Sequence, residues 1–401
     1  QLSITFSAPS NNGGSAISSY TAVCSALGQV TRTSIGTSPP LIVNGLINGV
    51  AYTCAVAAIN SFGTSPSSAA SQPVTPQATQ SSAQPQFILR SSAAQTLGAN
   101  LVNNSIQFTL LPDPGLSNRL LAFADFRGTG TRGLTFQEIQ SDSIFGVVSI
   151  WPDYNSASAL SMRAVKKTWL VQAVADLDGD GFADMVFRFT GDDGLPNDKG
   201  VSYIWFTNGT AVNQVRKRGG APLSWTLLGA VDLNNDGAAD MIYISPEGNI
   251  RALMATLNRT CANFSAGTVP ANFTALKAAD FTGRRRGDIF LRNPTTGENS
   301  VILLDAGGII LPSPTANPDD SNASCTASTS VVTNSTRGLP AVDPTWQFYA
   351  SADLNYDGIT DIVWLQPNGT LSVWLMNANG AAPTVISNAG TAPPGYTVFQ
   401  R

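Results

Sequence analysis

The sequence Asp-Leu-Asp-Gly-Asp-Gly-Phe-Ala-Asp occupies residues 176–184 and predicts the fold of the chain around it. Carboxylates stand at its first, third, fifth and ninth positions, which are Asp176, Asp178, Asp180 and Asp184. Calcium prefers six or more oxygen ligands at about 2.4 Å, and alternate carboxylates on a tight turn supply them. Glycine at the sixth position permits the bend, and the backbone carbonyl of Phe182 at the seventh adds another oxygen. The stretch therefore predicts a calcium-binding loop.

The residues around this loop exclude an EF-hand. An EF-hand places a glutamate at position 12 of its loop and has helices on both sides. Position 12 here is Phe187, and both Trp169–Ala175 before the loop and residues 185–189 after it have the composition of short β-strands. The sequence therefore predicts a calcium loop between two strands.

The loop recurs along the chain. Residues 232–240 and 353–361 keep glycine at position 6 and an oxygen-bearing side chain at positions 1, 3, 5 and 9, namely Asp232, Asn234, Asp236, Asp240, Asp353, Asn355, Asp357 and Asp361. Two further copies have lost ligands, because residues 280–288 carry Arg284 at position 5 and residues 125–133 keep only the first aspartate. A motif repeated in this way indicates a repeat architecture.

Each loop lies within a similar run of strand-like segments. In four copies an aromatic residue stands seven positions before the loop, at Trp169, Trp225, Phe273 and Trp346. An apolar strand follows the loop, and after it come a polar turn, a third strand and a weaker fourth strand. Four antiparallel strands per repeat are the pattern of a β-propeller blade, so we predict an all-β fold.

The five loops and the two ends of the propeller region predict six blades. Residues 87–90 look like the second strand of a repeat and Tyr396–Phe399 looks like an aromatic opening strand, so together they would complete one blade. The long interval between the last two loops could hold an irregular blade, which leaves seven blades as the alternative. Cys261 and Cys325 lie in insertions of this region, and we predict a disulfide between them.

Composition restricts the class of protein. The 401 residues include 12% charged residues and no histidine, and the net charge is −4. This balance of charge argues against binding to nucleic acid, which would call for a basic face. The lack of histidine removes the commonest general base and the commonest transition-metal ligand. Calcium loops and an even number of cysteines, four, favour an oxidising, calcium-rich exterior over the cytosol. No apolar run in the sequence is long enough for a membrane helix.

The pattern Asp-x-(Asp/Asn)-x-Asp-Gly-x-x-Asp, followed by Met or Ile and an apolar strand, resembles the FG-GAP/VCBS family of integrin-α-like propeller repeats. The resemblance covers about residues 86–401 and implies about three Ca²⁺ sites, each with a backbone carbonyl at position 7. The implied ligands are Asp176, Asp178, Asp180, Phe182 and Asp184; Asp232, Asn234, Asp236, Ala238 and Asp240; and Asp353, Asn355, Asp357, Ile359 and Asp361. In the loop over 280–288, Arg284 would replace the ion by bridging Asp280 and Asp288.

Residues 1–76 alternate short strands with turns, which is the pattern of a β-sandwich. They resemble a bacterial fibronectin type III domain, with Leu46 and Tyr52 in the place of its tyrosine corner and residues 70–74 as the last strand. The resemblance implies that the first strand of the sandwich is missing. It also places Cys24 and Cys54 on neighbouring antiparallel strands, where we predict a disulfide. Residues 77–85 are polar and are predicted to form a linker.

A second aromatic series, Trp151, Trp205 and Trp374, stands at equivalent places on the third strands of three repeats. Such side chains could stack on sugar rings or fill the gaps between neighbouring blades. Their periodicity favours packing between blades.

We expect an extracellular or cell-surface protein with a non-enzymatic role and identify no catalytic residue. That role is adhesion to a surface glycan or protein, or the building of an appendage by self-assembly into filaments. Because Gln1 already lies in a strand, we also expect a piece of a longer secreted protein. The alternative is a secreted propeller-type polysaccharide lyase or glycoside hydrolase acting through paired carboxylates. The loop aspartates would, however, be engaged by the metal, and fold alone does not decide function.

Overall fold

The computed structural model describes residues 2–27, 29, 31–43, 46, 51–74, 76, 84–140, 143–154, 156–189, 202–218, 222–255, 261–305, 326–331 and 333–399. The chain divides into two compact units. The first is Gln1–Thr79 with Gly128–Gly130 and Tyr356–Gly358, and the second is Gln80–Arg127, Thr131–Asn355 and Ile359–Arg401. The regular elements are β-strands, apart from short 3₁₀ helices at Pro152–Tyr154, Ser156–Ser158 and Ala378–Gly380. Among the described residues, no helix has the length and apolar character needed to cross a membrane.

The first unit contains two antiparallel sheets. Its strands are β1 (Leu2–Ile4), β2 (Ser19–Ser25), β3 (Arg32–Gly36), β4 (Leu41–Val43), β5 (Thr53–Asn60) and β6 (Gly63–Thr64). β1 pairs with β4, and the other sheet has the order β3-β2-β5-β6. Alternate residues of a strand point to one face, and those of β2 join a core that contains Tyr20, Ala22, Cys24, Leu41, Val43, Leu46, Tyr52 and Cys54.

The disulfide between Cys24 and Cys54 confirms the prediction. The two residues stand directly opposite each other on β2 and β5, and both are buried in the core of the first unit. The second predicted disulfide falls on Cys325 and the side chain of Cys261, which lie outside the described residues.

The prediction of a strand over residues 70–74 is wrong. The chain instead follows β5 with a serine at every third position, at Ser65, Ser68 and Ser71. Each serine donates its backbone N–H to a β5 carbonyl at 2.8 Å, and its hydroxyl accepts from a β5 N–H at 3.0 to 3.1 Å. Because Pro66 and Pro73 lack the N–H that a continuous ladder needs, paired serine contacts take its place, and only Val74 forms a β-bridge, to Tyr52.

The second unit repeats a four-stranded antiparallel sheet, as a β-propeller does. Its first three sheets contain β7 (Phe87–Ser91), β8 (Thr96–Val102) and β9 (Ser105–Leu111); β10 (Asn118–Ala124), β11 (Gly133–Glu138), β12 (Phe145–Trp151) and β13 (Leu160–Lys166); and β14 (Trp169–Ala175), β15 (Asp184–Phe189), β16 (Ser202–Thr207) and β17 (Val212–Arg218). The fourth and fifth sheets contain β18 (Thr226–Val231), β19 (Asp240–Ile244), β20 (Asn249–Ala255) and β21 (Cys261–Thr268); and β22 (Thr274–Ala279), β23 (Asp288–Arg292) and β24 (Asn299–Asp305).

The long interval between the last two loops adds strands to existing sheets. β25 (Thr326–Val331) pairs in parallel with β21 as a fifth strand of the fourth sheet, and β26 (Thr333–Leu339) completes the fifth sheet. The sixth sheet contains β27 (Gln347–Ala352), β28 (Asp361–Leu365), β29 (Leu371–Leu375) and β30 (Thr384–Ile386). In the part of this interval that the structure describes, no strand forms a separate sheet.

The last strand, β31 (Tyr396–Phe399), pairs antiparallel with β7 and gives the first sheet the order β31-β7-β8-β9. This confirms the prediction that the two ends of the propeller region share one sheet. The first sheet therefore joins strands from the two ends of the second unit.

Apolar clusters join each sheet of the second unit to the next, and a further cluster joins the sixth sheet to the first. Taken from the first sheet onward, representative pairs across the six contacts are Ile88 and Phe136, Val148 and Phe187, Ile204 and Tyr243, Ile242 and Ile289, Phe290 and Trp364, and Val363 and Leu89. The apolar contacts thus close a cycle.

A β-bulge occurs at the same place in the first strand of five sheets. The pairing register shifts four residues before each loop, at Leu121, Gln172, Leu228, Leu276 and Tyr349. A bulge bends a strand and increases its twist. Extra twist at the same point of each first strand fits an arrangement in which every sheet is rotated relative to the next.

Arginines on alternate sheets hold the turn that opens the following sheet. Arg90, Arg188 and Arg292 lie on the second strands of the first, third and fifth sheets. Each guanidinium donates to two backbone carbonyl oxygens of that turn. Arg292, for example, donates to the carbonyl oxygen of Asp343 at 2.8 Å and to that of Trp346 at 3.1 Å. Each guanidinium thereby ties the turn that opens a sheet to the sheet before it.

The disulfide gives a testable expectation for the first unit. The double variant Cys24→Ser, Cys54→Ser should destabilise it by roughly 3 to 4 kcal/mol, because a cross-link spanning 30 residues restricts the unfolded chain. Thermal unfolding followed by far-UV circular dichroism should show an earlier transition. The seven tryptophans all lie in the second unit, so the tryptophan fluorescence transition serves as an internal control and should not move. A circular dichroism trace identical to that of the parent would contradict the expectation.

Candidate metal centre

The loop over 176–184 brings three carboxylates together. Ligand oxygens of Asp176, Asp178 and Asp184 all lie within 4.8 Å of one another. β14 ends immediately before the loop and β15 begins at its ninth residue, so the two strands fix the separation of the loop ends. Gly179 and Gly181 adopt φ angles of 72° and 92°, a left-handed conformation that glycine reaches without steric cost. Three carboxylates at this spacing could hold a hard cation that prefers oxygen ligands.

The ninth residue of the loop is the most deeply buried of its ligands. Asp184 is fully buried, and its two oxygens accept hydrogen bonds from the N–H groups of Leu177 and Thr207, both at 2.9 Å. One carboxylate therefore ties the start of the loop to the third strand of the sheet.

The same arrangement recurs in the other loops. Asp240 and Asp361 are also fully buried and accept from the N–H of the second loop residue, at 2.9 Å from Leu233 and 2.8 Å from Leu354. Asp361 accepts a second bond from the N–H of Met376 at 2.8 Å, just after the third strand. The structure therefore places the ninth-position ligands alike in all three predicted sites.

The first-position aspartates are held by the turn that they begin. Asp176 accepts from the N–H groups of Gly179 at 2.6 Å and Gly181 at 2.8 Å. Asp232 accepts from those of Asn235 at 2.6 Å and Gly237 at 2.8 Å. These bonds orient the first carboxylate toward the interior of each loop.

Some predicted ligands lie outside the three-carboxylate group. Asp180 is exposed, and its Oδ1 accepts from the N–H of Phe182 at 2.9 Å. In the second loop Asn234 donates its amide to Asp236 at 3.1 Å. The ligand roles of all the residues assigned to the three sites remain predictions, including the carbonyl groups of Phe182, Ala238 and Ile359 and the side chains of Asp353, Asn355 and Asp357.

Burial makes the charged form of these carboxylates costly. Desolvation raises the pKa of Asp184 to about 9, with a further rise from the charge of Asp178. Desolvation likewise raises the pKa of Asp176 and of Asp232 to about 6, and the neighbouring carboxylates of each loop add to the rise. A divalent cation would remove this penalty, because it supplies opposite charge where the carboxylates crowd together. The donor set is all oxygen, which fits Ca²⁺.

The loop over 280–288 carries its own cation. The Arg284 guanidinium donates to Asp288 at 2.6 Å and to the Thr282 hydroxyl at 3.1 Å. The predicted bridge is present on one side only, because Asp280 accepts instead from the N–H groups of Thr282 and Arg285. The positive charge stands beside the ninth-position carboxylate, so we expect this loop to bind no metal ion.

The left-handed conformation at position 4 was not predicted from the sequence. It occurs in all five copies, at Gly128, Gly179, Asn235, Gly283 and Tyr356. Glycine or asparagine at four of these positions is a signal for positive φ, whereas Tyr356 gives none. The two degenerate loops therefore share this left-handed residue with the three predicted calcium loops.

The tryptophan series packs between sheets. Trp205 is buried in the cluster between the second and third sheets, and Trp374 in the cluster between the fifth and sixth. Trp151 packs, half-buried, against the cluster between the first and second sheets. These positions agree with the packing interpretation.

Comparison with known proteins finds solved structures similar to this chain, among them the two that follow. No protein-family model and no curated protein matches the chain. The chain is similar to the WD40 domain of SCAP from fission yeast, with 9% identity and a TM-score of 0.34 over 81% of this chain and 78% of that one. It is also similar to rhamnogalacturonan lyase YesW, with 12% identity and a TM-score of 0.31 over 100% of this chain and 72% of that one. Similarity at these scores carries no argument about function.

Calcium should stabilise the second unit. An ion that binds only the folded state contributes roughly 2.7 kcal/mol per site at a hundredfold excess over Kd. Asp180→Ala, Asp236→Ala and Asp357→Ala should therefore each lower the Tm in calcium. Excess EDTA should lower the Tm of the parent protein and remove most of the difference between it and the variants.

Glu247→Ala provides the matched control, since this exposed carboxylate lies in a turn outside the loops. The Glu247 carboxylate accepts a hydrogen bond from the side chain of Ser245 in the same turn, so any change in Tm should be the same in calcium and in EDTA. A parent Tm that does not change on adding EDTA would rule out the calcium interpretation.

Proposed function

We propose that the second unit is a six-bladed β-propeller of the FG-GAP/VCBS kind, stabilised by about three Ca²⁺ ions, and that the first unit is a fibronectin type III-like sandwich. The repeated sheets, the cycle of apolar clusters and the loops shared between repeats support the propeller. The domain limits proposed with it are residues 1–76, a linker over 77–85, and 86–401. The linker falls mainly on residues outside those described.

We further propose that the protein works outside the cell or on its surface. Two features support this location. The disulfide between Cys24 and Cys54 would persist in an oxidising compartment. Loops of this kind would also be filled where calcium is abundant.

The role that we propose is non-enzymatic binding of a surface glycan or protein. The observation that carries it is the engagement of the loop carboxylates in structure. Five of the loop aspartates accept hydrogen bonds from backbone N–H groups of their own repeats, and the metal would engage them further. They are Asp176, Asp184, Asp232, Asp240 and Asp361. Engagement of this kind supports a structural role for these carboxylates over a catalytic one.

The alternative of a polysaccharide lyase or glycoside hydrolase would need a pair of acid and base groups facing a substrate. In the part of the chain that the structure describes, the carboxylates with raised pKa values lie instead in the loops over 176–184, 232–240 and 280–288. Raised pKa values of this origin reflect burial and crowding at structural positions.

An appendage-building role is a variant of the same proposal. Among the described residues β1 has one strand neighbour, β4, and its side chains Leu2 and Ile4 are half-buried. Such an edge can accept a further strand. Self-assembly through this edge would produce filaments visible by electron microscopy of the purified protein.

A binding screen tests the proposed role. The full chain, with calcium and with EDTA, should be applied to a glycan array and used to capture surface proteins. We expect retention of a defined glycan or protein in calcium, reduced in EDTA, and reduced for the triple variant Asp180→Ala, Asp236→Ala, Asp357→Ala at a temperature where its folding is weakened. Release of new unsaturated or reducing ends from the polysaccharides of the same array would contradict the non-enzymatic role.

A further inference from the structure

A cavity of about 530 Å³ lies within the first unit, between the turn over residues 9–14 and the hairpin that joins β5 to β6. Its volume is within the range of small-molecule sites. The apolar part of its wall includes Pro9, Ile17, Ile59 and Pro66. The rest of the wall combines an aromatic ring with amide and hydroxyl groups.

Asn60, at the end of β5, holds the two sides of this cavity together. Its side-chain amide donates to the carbonyl oxygen of Asn12 at 2.7 Å, and its Oδ1 accepts from the N–H of Phe62 at 2.9 Å. Next to it, the hydroxyl of Ser61 donates to the hydroxyl of Ser15 at 2.8 Å. The turn and the hairpin are therefore fixed against each other without a ligand, and a ligand would not have to order them.

Phe62 contributes an aromatic ring to the wall. It is 78% exposed. The ring lies beside Gly14, where an added Cβ would come 3.9 Å from its Cε2 atom. A single exposed apolar side chain is common on protein surfaces, but this one lines a cavity whose shape is already set. Such a ring can pack against the apolar face of a ligand.

Two amides of the turn lie on the wall beside this ring. The Oδ1 atom of Asn11 accepts from the N–H of Gly13 at 2.9 Å, and that of Asn12 accepts from the N–H of Gly14 at 3.0 Å. These bonds fix the orientation of both amides. Among the described residues, neither side-chain NH₂ group has a protein acceptor. Both groups can therefore donate to a ligand in the cavity.

The cavity is uncharged. None of the described residues that line it is Asp, Glu, Lys or Arg, and Arg32 has the only charged side chain in residues 1–79 of the sequence. A charged ligand would lose hydration there without gaining an opposite charge. The cavity therefore favours a neutral ligand.

We propose that this cavity binds a neutral saccharide, with one hexose ring packed against Phe62 and hydroxyl groups accepting hydrogen bonds from Asn11 and Asn12. A hexose has an apolar face of C–H groups and a rim of hydroxyls, which matches an aromatic ring beside uncharged amides. The proposal rests on the binding role given above and deepens it, because it names a place on the chain and a class of glycan.

Saturation-transfer-difference NMR on the full chain tests this site. The neutral probes are the methyl β-glycosides of D-glucose, D-galactose and N-acetyl-D-glucosamine, and the charged probe is D-glucuronate. At least one neutral glycoside should bind, and glucuronate should bind at least about tenfold more weakly than the best of them.

Variants of the wall locate the binding. Phe62→Ala should weaken it by at least about tenfold, whereas Phe62→Trp should retain it. The double variant Asn11→Asp, Asn12→Asp keeps the oxygens that accept from the turn but loses both NH₂ donors, so it should also weaken binding by at least about tenfold.

Phe145→Ala is the matched control, because it removes an exposed ring from β12 in the second unit. Its affinity should equal that of the parent. Since the Phe62 ring is exposed, Phe62→Ala should keep the parent Tm by far-UV circular dichroism. No binding of any neutral glycoside, equal affinity for glucuronate, or full affinity in folded Phe62→Ala or in the double variant would each overturn the proposal.

Failure of this site and failure of the binding role give different results. Capture of a surface glycan or protein by Phe62→Ala at the parent level would leave the role intact and remove the site from it. Glycoside binding that depends on Phe62, together with an array and capture screen that retains nothing, would support the site and contradict the role.

Discussion

A fully buried carboxylate at the end of four of the five loops is the constraint on which the second unit depends. Asp184, Asp240, Asp288 and Asp361 have no exposed surface. A carboxylate removed from water is costly unless hydrogen bonds and opposite charge compensate it. The hydrogen bonds come from the second residue of the loop and, for Asp184 and Asp361, from the end of the third strand. In these two repeats one carboxylate, at the start of the second strand, therefore connects that strand to the loop and to the end of the third strand.

The opposite charge is supplied in two ways. In the loop over 280–288, Arg284 pairs with Asp288, and the pKa of that carboxyl rises only to about 6 because the hydroxyl of Thr282 and the guanidinium counter the effect of burial. In the loop over 176–184, burial raises the pKa of Asp184 to about 9, and the charges of Asp178 and Asp176 add to the rise. The same buried position thus lies beside a built-in cation in one repeat, and in another it is where we propose an external cation. Calcium is the ion that an all-oxygen donor set favours.

Much of this arrangement could be predicted from the sequence, because it depends on local spacing. The loop pattern fixes which strands flank it, and the similarity of residues 87–90 and Tyr396–Phe399 to repeat strands identified the shared first sheet. The pairing of Cys24 with Cys54 followed from their places on two strands. Each of these inferences needs only a period and a residue type.

The features that escaped prediction depend on contacts between distant segments. Arg90, Arg188 and Arg292 donate hydrogen bonds to backbone carbonyl groups of turns. Every residue has such a carbonyl, so the residue types do not show which one is the partner. The serine contacts of residues 65–71 replace a ladder that prolines interrupt, and only the register with β5 reveals them. Asp280 was expected to share the Arg284 guanidinium with Asp288, but it accepts a hydrogen bond from a backbone N–H group of its own turn instead. In each case the deciding partner is a main-chain atom whose position follows from the fold.

The number of calcium ions bound per chain tests this account most directly. The full-length protein would be dialysed against buffered calcium, and the bound ion measured by atomic absorption against protein concentration. The account predicts three ions, at the loops beginning with Asp176, Asp232 and Asp353, and Arg284→Ala should not reduce that number. No bound calcium would contradict the central claim, and five bound ions would show that the two degenerate loops bind metal as well.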